Sequence, residues 1–233
     1  MRVRELGFHS SGKVDGTPIT EADLASNQLI TSELKAIFPQ IPIVSEEGDR
    51  ANSGSLFFLL DPLDGTKEFI NGSPDFTVNI ALIQNEIPLL GVVHIPMTGT
   101  TYSGNPEGAR KTQGNKSWPI AVSAEQRNPR VVASRSHLDA ETERFIKGLT
   151  DAETIRAGSS LKFCLIAEGE AEIYPRFART MEWDTAAGQA VLEAAGGRVL
   201  DKTFGRDLTY GKPGFENPSF VAISNNSILQ KSN

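Results

Sequence analysis

The most informative stretch of the sequence is Asp61-Pro62-Leu63-Asp64-Gly65-Thr66, which follows an apolar run at 56–60. Two carboxylates stand around a proline-constrained turn at the end of a predicted strand. Carboxylates held rigidly in this way suit hard, oxygen-seeking cations such as Mg²⁺. The Gly65-Thr66 pair follows where a helix could begin, and backbone N–H groups at a helix start suit a phosphate. A cation site and a phosphate site within one short segment indicate phosphoryl chemistry.

Acidic residues stand at the ends of several predicted elements, where side chains from distant parts of the chain can converge. The set is Asp23, Glu46, Asp61, Asp64 and Asp184. Taken singly, each has an ordinary explanation: Asp23 could complement a helix dipole, and Asp184 could be the N-cap of the following helix. The run at 61–66 is different, because all six positions fit one geometric task. It is therefore the anchor of the predicted metal site.

The bulk composition is that of an ordinary globular protein and argues against several function classes. The chain has 233 residues, of which 39% are hydrophobic and 22% are charged. With a formal net charge of -6, it lacks the basic field that nucleic-acid binders need, so we expect no nucleic-acid partner. No apolar run approaches the roughly 18 residues of a membrane span, and the N-terminus lacks a signal-peptide core. The single cysteine, Cys164, fits a reducing compartment, so we expect a cytoplasmic protein without integral membrane contact.

The first half of the chain has the pattern of an α+β unit with an antiparallel sheet. Thr20 and Asp23 form a capping-box pattern, which predicts a helix that continues to Ile37. Alternating apolar residues on both sides of Asn85-Glu86 predict a hairpin. The predicted strands cover 41–44, 56–60, 76–83, 89–95 and 100–103. The polar, glycine-bearing segment at 104–118 is the predicted boundary of this half.

Beyond this boundary, strands and helices alternate, which predicts an α/β half. The predicted strands cover 130–133, 154–156, 171–174, 198–200 and 220–223. The predicted helices cover 139–149, 160–168 and 185–195, and the last one closes with Gly196-Gly197, a typical C-cap signal. We therefore expect a metal-binding half at residues 1–115 and a second half at 116–233, which contributes Asp184 and substrate-binding residues.

Four ordered motifs resemble those of the inositol monophosphatase superfamily of magnesium-dependent, lithium-sensitive phosphatases. Asp61-Pro62-Leu63-Asp64-Gly65-Thr66 is similar to the first signature of these enzymes. Trp183-Asp184-Thr185-Ala186-Ala187-Gly188, with Ala194-Ala195-Gly196-Gly197 after it, is similar to the second. Pro18-Ile19-Thr20-Glu21-Ala22-Asp23 and Ser45-Glu46-Glu47 match two further stretches in the same order. The resemblance extends over about 16–223 and implies a layered α-β-α-β-α fold.

Within the superfamily, the sequence is most similar to the 3′(2′),5′-bisphosphate nucleotidases. Lys67-Glu68-Phe69 stands where inositol monophosphatases typically have Thr-Asn-Phe, and the segment at 158–169 carries Lys162, a lysine that those enzymes lack. Ala133-Ser134-Arg135-Ser136-His137 and Tyr174-Pro175-Arg176-Phe177 are also nucleotidase-like. The resemblance implies hydrolysis of the 3′-phosphate of 3′-phosphoadenosine 5′-phosphate, or of its 5′-phosphosulfate, by a metal-activated water. The products would be AMP, or adenosine 5′-phosphosulfate, and phosphate.

The resemblance also implies roles for individual residues. Two or three Mg²⁺ ions would be held by Glu46, Asp61, the Leu63 carbonyl, Asp64 and Asp184. Asp23 and Thr66 would position and help to deprotonate the nucleophilic water, with Glu46 as a further catalytic group. The backbone of Gly65 and Thr66 would cradle the scissile phosphate. The candidates for binding the rest of the nucleotide are Ser159, Lys162, Arg135, Ser136, Arg176 and Asp184.

One departure from the family pattern and two alternative functions stay open at this stage. Family members usually begin with a long amphipathic helix, whereas 17 residues without a helical stripe precede Pro18 here. We therefore expect the first helix to be missing or truncated, which leaves folding and the oligomeric state, monomer or homodimer, undecided. The alternative functions are an inositol or sugar monophosphatase that uses the same metals, and a non-catalytic homologue that has lost turnover.

Overall fold

The structure is a computed structural model that describes residues 10–12, 18–48, 54–124, 128–135, 138–203 and 205–224. The expectation of a missing first helix concerns residues 1–17, most of which lie outside the described residues. The candidate residue Ser136 lies outside them as well.

A seven-stranded sheet contains most of the first half of the chain. Its strands are ordered β3-β4-β5-β6-β7-β8-β9, with β3 parallel to β4 and every later neighbour antiparallel. They are β3 (Ile43–Ser45), β4 (Leu56–Asp64), β5 (Thr77–Gln84), β6 (Ile87–Ile95), β7 (Thr100–Asn105), β8 (Gly108–Gln113) and β9 (Lys116–Ile120). A separate antiparallel ribbon pairs β1 (Ser10–Gly12) with β2 (Pro18–Thr20).

A five-stranded mixed sheet forms the core of the second half. Its order is β11-β10-β12-β14-β13, with the first three strands parallel and β14 antiparallel to both of its neighbours. The strands are β10 (Arg130–Ser134), β11 (Glu153–Ala157), β12 (Ile173–Arg176), β13 (Arg198–Asp201) and β14 (Phe220–Ile223).

The helices and the two sheets form a layered α-β-α-β-α arrangement, which confirms the predicted fold class. The helices are α1 (Glu21–Ile37), α2 (Thr66–Ile70), α3 (Ala140–Lys147), α4 (Leu161–Ala167) and α5 (Ala186–Ala194), with 3₁₀ turns at Glu182–Asp184 and Pro213–Phe215. Helix α1 packs on β4, while α4 and α5 lie between the sheets. On the far face of the second sheet, Phe145 and Ile146 of α3 pack against Val131 and Ile173.

Two glycines let α5 approach the first sheet closely. A Cβ atom on Gly91 would lie 2.4 Å from the carbonyl oxygen of Ala187, and one on Gly104 would lie 2.6 Å from that of Ala190. Real Cβ contacts are not this short, so any larger residue would push the helix away from the sheet. The 3₁₀ turn before α5 carries Asp184, and the close packing therefore holds this residue near the end of β4.

The structure confirms most of the predicted elements and adds two strands. The helix from Thr20 begins with the predicted capping box, and the hairpin turns at Asn85-Glu86, both of which have positive φ. The sequence assigned no strand to 104–118, whereas the structure forms β8 and most of β9 in this segment. These strands lie at the edge of the sheet and are largely exposed, so they lack the apolar alternation that predicts a strand. The predicted division at 115/116 stays a prediction.

Candidate active site

The end of β4 is bulged, and the bulge carries the two aspartates of the first motif. Asp61 pairs with Asn79 and Asp64 pairs with Thr77, so the two residues between them fall out of register. Pro62 has no N–H to donate to the ladder, which favours such an irregularity. The N–H of Leu63 instead donates to Oδ1 of Asp61 (3.0 Å). The bulge thus fixes the Asp61 carboxylate inside the protein, where it is 1% exposed.

Three carboxylates converge beside this bulge. Oxygen atoms of Glu46, Asp61 and Asp184 all lie within 4.8 Å of one another. Glu46 follows β3, and its N–H donates to the carbonyl oxygen of Leu60 on the parallel neighbour β4 (3.1 Å). Asp184 comes from the second half and is held by the N–H of Met181, which donates to its Oδ2 (2.8 Å).

Crowding and burial make two of these carboxylates, those of Asp61 and Asp184, hard to ionise. Burial raises the pKa of Asp61 well above its usual value, and the neighbouring Glu46 and Asp64 carboxylates add to this effect. Burial, together with Asp64 and Glu46, raises the pKa of Asp184 to about 8. A divalent cation would remove the mutual repulsion, and an all-oxygen donor set is what hard cations prefer. The residues present therefore fit a metal site.

Asp64 lies next to this cluster and connects the two halves. Its Oδ2 accepts hydrogen bonds from Oγ of Ser159 (2.5 Å), from the N–H of Ser160 (2.7 Å) and from Nδ2 of Asn79 (3.2 Å). Oγ of Ser159 also lies 2.5 Å from Oγ1 of Thr77. One carboxylate oxygen of Asp64 thus holds the loop of the second half in which the candidate residues Ser159 and Lys162 lie.

A hydrogen-bond relay runs from the start of α1 to the start of α2. Oγ1 of Thr66 donates to Oδ1 of Asp23 (3.0 Å). Oδ2 of Asp23 accepts from both the N–H (2.8 Å) and the hydroxyl (2.5 Å) of Thr20. Because Thr20 and Asp23 are both buried, the capping box also holds the carboxylate that orients Thr66.

Gly65 makes the tight connection between β4 and α2. Its φ of 94° lies in the left-handed region that favours glycine. The carbonyl oxygen of Gly65 accepts from the N–H of Phe69 (2.9 Å), which begins α2. Gly65, Thr66 and Leu63 all line one cleft of about 230 Å³ together with the three carboxylates.

The same cleft also carries positive charge. Lys162, Arg176 and Ser159 line it. Nζ of Lys162 donates to the carbonyl oxygen of Ser159 (2.6 Å) and lies 5.1 Å from the centre of the Tyr174 ring. Burial lowers the pKa of Lys162 to about 8, although the nearby Asp64 favours its charged form. A phosphate bound beside Lys162 would stabilise the ammonium group.

Arg135 has a different position from the other basic candidates. It is not among the described residues that line the cleft. Its guanidinium forms an ion pair with Asp75, in which Nη2 lies 2.8 Å from Oδ2, and it also donates to the carbonyl oxygen of Arg156 (3.1 Å). The side chain of Arg135 is 52% exposed, and its role in substrate binding stays a prediction.

Several residues at the cleft were not singled out from the sequence. Tyr174 supports Lys162, Thr180 and Ser134 line the cleft, and Asn79 donates to Asp64. The sequence held a signal for Asn79, since a buried polar residue on an otherwise apolar strand needs a partner. No local pattern marks Thr180.

Comparisons with known proteins give a consistent result. The family model described as the inositol monophosphatase family matches residues 3–231. The 3′(2′),5′-bisphosphate nucleotidase CysQ of Escherichia coli strain K12 is 45% identical over 213 residues, which are 89% of this chain and 86% of that protein. CysQ of Haemophilus influenzae is 34% identical over 230 residues, covering 94% of this chain and 85% of its own length.

Solved structures agree with the sequence relatives. CysQ from Bacteroides thetaiotaomicron superposes with a TM-score of 0.78 at 38% identity and covers 85% of this chain and 83% of its own. The extragenic suppressor protein SuhB from Bartonella henselae has a TM-score of 0.80 at 23% identity, covers 99% of this chain and 90% of its own, and supports the fold alone.

No helix among the described residues is both long and apolar enough to span a membrane. The order of the motifs, the layered fold and the matches over nearly the whole sequence lead to one conclusion: this chain belongs to the inositol monophosphatase family.

Proposed function

We propose that this protein is a Mg²⁺-dependent 3′(2′),5′-bisphosphate nucleotidase that hydrolyses the 3′-phosphate of 3′-phosphoadenosine 5′-phosphate. One observation carries the proposal: a single cleft is lined both by a cluster of three carboxylates and by the basic side chains of Lys162 and Arg176. The carboxylates suit the metal-dependent hydrolysis of one phosphate, and the basic side chains suit the binding of another. Relatives that bear this activity in their names are 45% identical over 89% of the chain.

The metal site would be formed by the residues at the end of β4 and their neighbours. Glu46, Asp61, Asp184, Asp64 and the Leu63 carbonyl oxygen would hold Mg²⁺. When bound, Mg²⁺ supplies Lewis acidity that favours a nucleophilic water and stabilises the charge on the leaving oxygen. Two or three ions are the expected number, as in the family, and Mg²⁺ is the expected ion because every donor is a hard oxygen atom.

The protein's own residues would handle the proton of the water. Thr66 donates to Asp23 (3.0 Å), so a lone pair of its oxygen is available to accept a hydrogen bond from the attacking water. Thr66 would then accept a proton from the water and pass its own proton to Asp23 as the water oxygen bonds to phosphorus. The bond between phosphorus and the 3′ oxygen breaks, and the departing oxygen takes a proton from solvent to become the 3′ hydroxyl. Glu46 would help to orient the attacking water.

The rest of the substrate would be bound by groups outside the carboxylate cluster. The backbone of Gly65 and Thr66 would bind the scissile phosphate. Lys162 and Arg176 would bind the second phosphate, since the lysine offers a point charge and the arginine a two-pronged donor. Ser159 and Asp184 would contact the remainder of the nucleotide, and Ser136 and Arg135 stay candidates. The 5′-phosphosulfate analogue would fit the same arrangement.

The experiment that tests this function is phosphate release by the 233-residue chain in Mg²⁺. 3′-Phosphoadenosine 5′-phosphate and inositol 1-phosphate are supplied in parallel, with and without Li⁺. We expect strong preference for the nucleotide and inhibition by Li⁺. A preference for inositol 1-phosphate would indicate the alternative monophosphatase, and no release from either by a folded sample would indicate a non-catalytic homologue.

Two further expectations belong to this proposal. A cytoplasmic location is the expected one, because the single cysteine, Cys164, cannot form an internal disulfide. The oligomeric state, monomer or homodimer, is measurable by light scattering of the purified protein.

A further inference from the structure

The buried carboxylate of Asp75 connects the two halves of the chain close to the cleft, although Asp75 is not among the described residues that line the cleft. Asp75 lies in the turn between α2 and β5 and is 8% exposed. Its Oδ2 accepts from Nε (3.1 Å) and Nη2 (2.8 Å) of Arg135 and from the backbone N–H of Gly158 (3.1 Å). Both partners belong to the second half of the chain. Asp75 therefore ties the turn after α2 to the loop before α4.

The backbone of Asp75 also fills the space between two glycines. A Cβ atom on Gly158 would lie 2.7 Å from the carbonyl oxygen of Asp75, and one on Gly65 would lie 3.3 Å from the same oxygen. The two glycine segments are thus both in close contact with the carbonyl oxygen of Asp75. A close-packed contact resists both approach and separation of the segments.

These two segments carry the groups assigned above to the two phosphates. Gly65 and Thr66 would bind the scissile phosphate, while the loop at 158–162 would present Lys162 to the second phosphate and Ser159 to the remainder of the nucleotide. The loop is held at its other side by Asp64, which accepts from Ser159 and Ser160. Asp75 and Asp64 together hold this loop in place relative to the metal site.

We propose that Asp75 is a positioning residue that sets the spacing between the two phosphate subsites, and so contributes to the preference for bisphosphates over monophosphates. This inference rests on the proposed function. Arg135 acts through Asp75, because its guanidinium holds the Asp75 carboxylate in the orientation in which it accepts from the N–H of Gly158. About half of the Arg135 side chain stays exposed.

The test compares two substrates that differ only in the second phosphate, 3′-phosphoadenosine 5′-phosphate and adenosine 3′-phosphate. Asp75→Asn should raise KM for the bisphosphate about 10-fold, the size of effect expected when a binding group is slightly misplaced. Both kcat values and the KM for adenosine 3′-phosphate should stay within about 2-fold of wild type. An equal change in KM for both substrates, or no change in either, would overturn the inference.

Glu172→Gln is the matched control. Glu172 is also a buried carboxylate that accepts from an arginine side chain and from a backbone N–H, here those of Arg130. It lies away from the described cleft residues. Glu172→Gln should lower the melting temperature without changing the ratio of the two KM values. If it changes this ratio as much as Asp75→Asn does, general loosening of the protein explains the effect and the inference is wrong.

Arg135→Gln keeps the inference testable if Asp75→Asn folds poorly, because Arg135 is largely exposed. It should raise KM for the bisphosphate in the same direction, and the double variant should be no worse than Asp75→Asn alone. Additive effects would show that Arg135 contacts the substrate directly and would overturn its assigned action through Asp75. A wild-type protein that turns over both substrates equally well would contradict the proposed function itself, and this inference with it.

Discussion

The cleft is lined by two groups of side chains with opposite charge, an acidic group of Glu46, Asp61 and Asp184 and a basic group of Lys162 and Arg176. In the acidic group, burial and neighbouring carboxylates raise the pKa of Asp61 and of Asp184. In the basic group, burial lowers the pKa of Lys162 to about 8. In each case the fold holds a group in an environment that disfavours its charged form, and a ligand of opposite charge would relieve this cost.

The contrast between the two groups indicates which step each one serves. Every phosphate monoester that reacts in this cleft needs the carboxylate cluster, because the proposed chemistry takes place there. Only a substrate with a second phosphate gains from Lys162 and Arg176. Changes in the acidic group should therefore affect all substrates alike, whereas changes in the basic group should alter the preference between them.

The largest effect on turnover is expected from Asp61→Asn, which changes one of the three clustered carboxylates. Loss of one carboxylate from the metal site should lower kcat more than about 1,000-fold for every substrate. The melting temperature without metal should not fall, since a buried like charge has been removed. Steady-state kinetics and thermal denaturation measure both effects, with Asp207→Asn in an exposed ion pair as the control. Retained turnover would contradict the metal assignment.

A smaller effect is expected from Thr66→Val, which keeps the shape of the side chain and removes its hydroxyl. We expect kcat to fall about 100-fold with little change in KM, because a group that helps to take the proton of the water has been lost. Thr66→Ser keeps the hydroxyl and should recover most of the rate. An effect on KM alone would show that Thr66 binds substrate without helping the reaction.

Thr20→Val should act on the same relay one step further from the substrate. Without the Thr20 hydroxyl, Asp23 loses one of the donors that fix its Oδ2, and we expect kcat to fall about 10-fold. The control is Asp139→Ala, which removes the N-cap of α3, where Oδ1 of Asp139 accepts from the N–H groups of Glu141 and Thr142. Both variants should lose about 1 kcal/mol of stability. An equal loss of kcat in both would contradict a specific role for Thr20.

The last prediction is that the stability of the folded state depends on pH. Because the pKa values of Asp61 and Asp184 are raised in the folded state, this state holds protons that the unfolded chain releases. The contribution of these protons to stability is complete below the unfolded pKa and is lost as pH rises toward about 8. The melting temperature in a chelator should therefore fall between pH 5 and pH 8, by about 2–4 °C for each kcal/mol of stability that is lost.

Two comparisons sharpen this pH prediction. Mg²⁺ added at pH 8 should raise the melting temperature, because it binds the folded state and replaces the lost protons. Asp184→Asn should have a weaker dependence of melting temperature on pH than wild type. A wild-type melting temperature in chelator that rises from pH 5 to pH 8 would contradict the raised pKa values.

The fold was predictable wherever a local pattern specifies an element. The capping box at Thr20 and Asp23, the apolar run before Asp61 and the turn at Asn85-Glu86 each lie within a few residues, and each appears in the structure as expected. Strands β8 and β9 were missed because their side chains are mostly exposed and polar. They are held by hydrogen bonds to neighbouring strands, which leave no periodic signal in the sequence.

The sequence predicted which residues form the site, but it did not predict the hydrogen bonds and ion pairs that join them. The motifs nominate Glu46, Asp61 and Asp184, which the structure brings together. That Asp64 accepts from Ser159 and Ser160 depends on how two distant segments dock, since these contacts join residues 95 and 96 positions apart. The same holds for the ion pair between Asp75 and Arg135. Close helix packing, such as that at Gly91, decides this docking and is visible only in three dimensions.

The most direct test of the separate roles of the acidic and basic groups is the ratio of kcat/KM for 3′-phosphoadenosine 5′-phosphate to that for adenosine 3′-phosphate, in wild type and Lys162→Met. Lys111→Met is the control, since Nζ of Lys111 also lies 5.1 Å from a tyrosine ring centre, that of Tyr102. We expect the ratio to fall about 10- to 100-fold in Lys162→Met, the value of one hydrogen bond to a charged group, and to be unchanged in Lys111→Met. If Lys162→Met lowers kcat/KM equally for both substrates, Lys162 does not recognise the second phosphate, and the proposed division of roles between the acidic and basic groups is wrong.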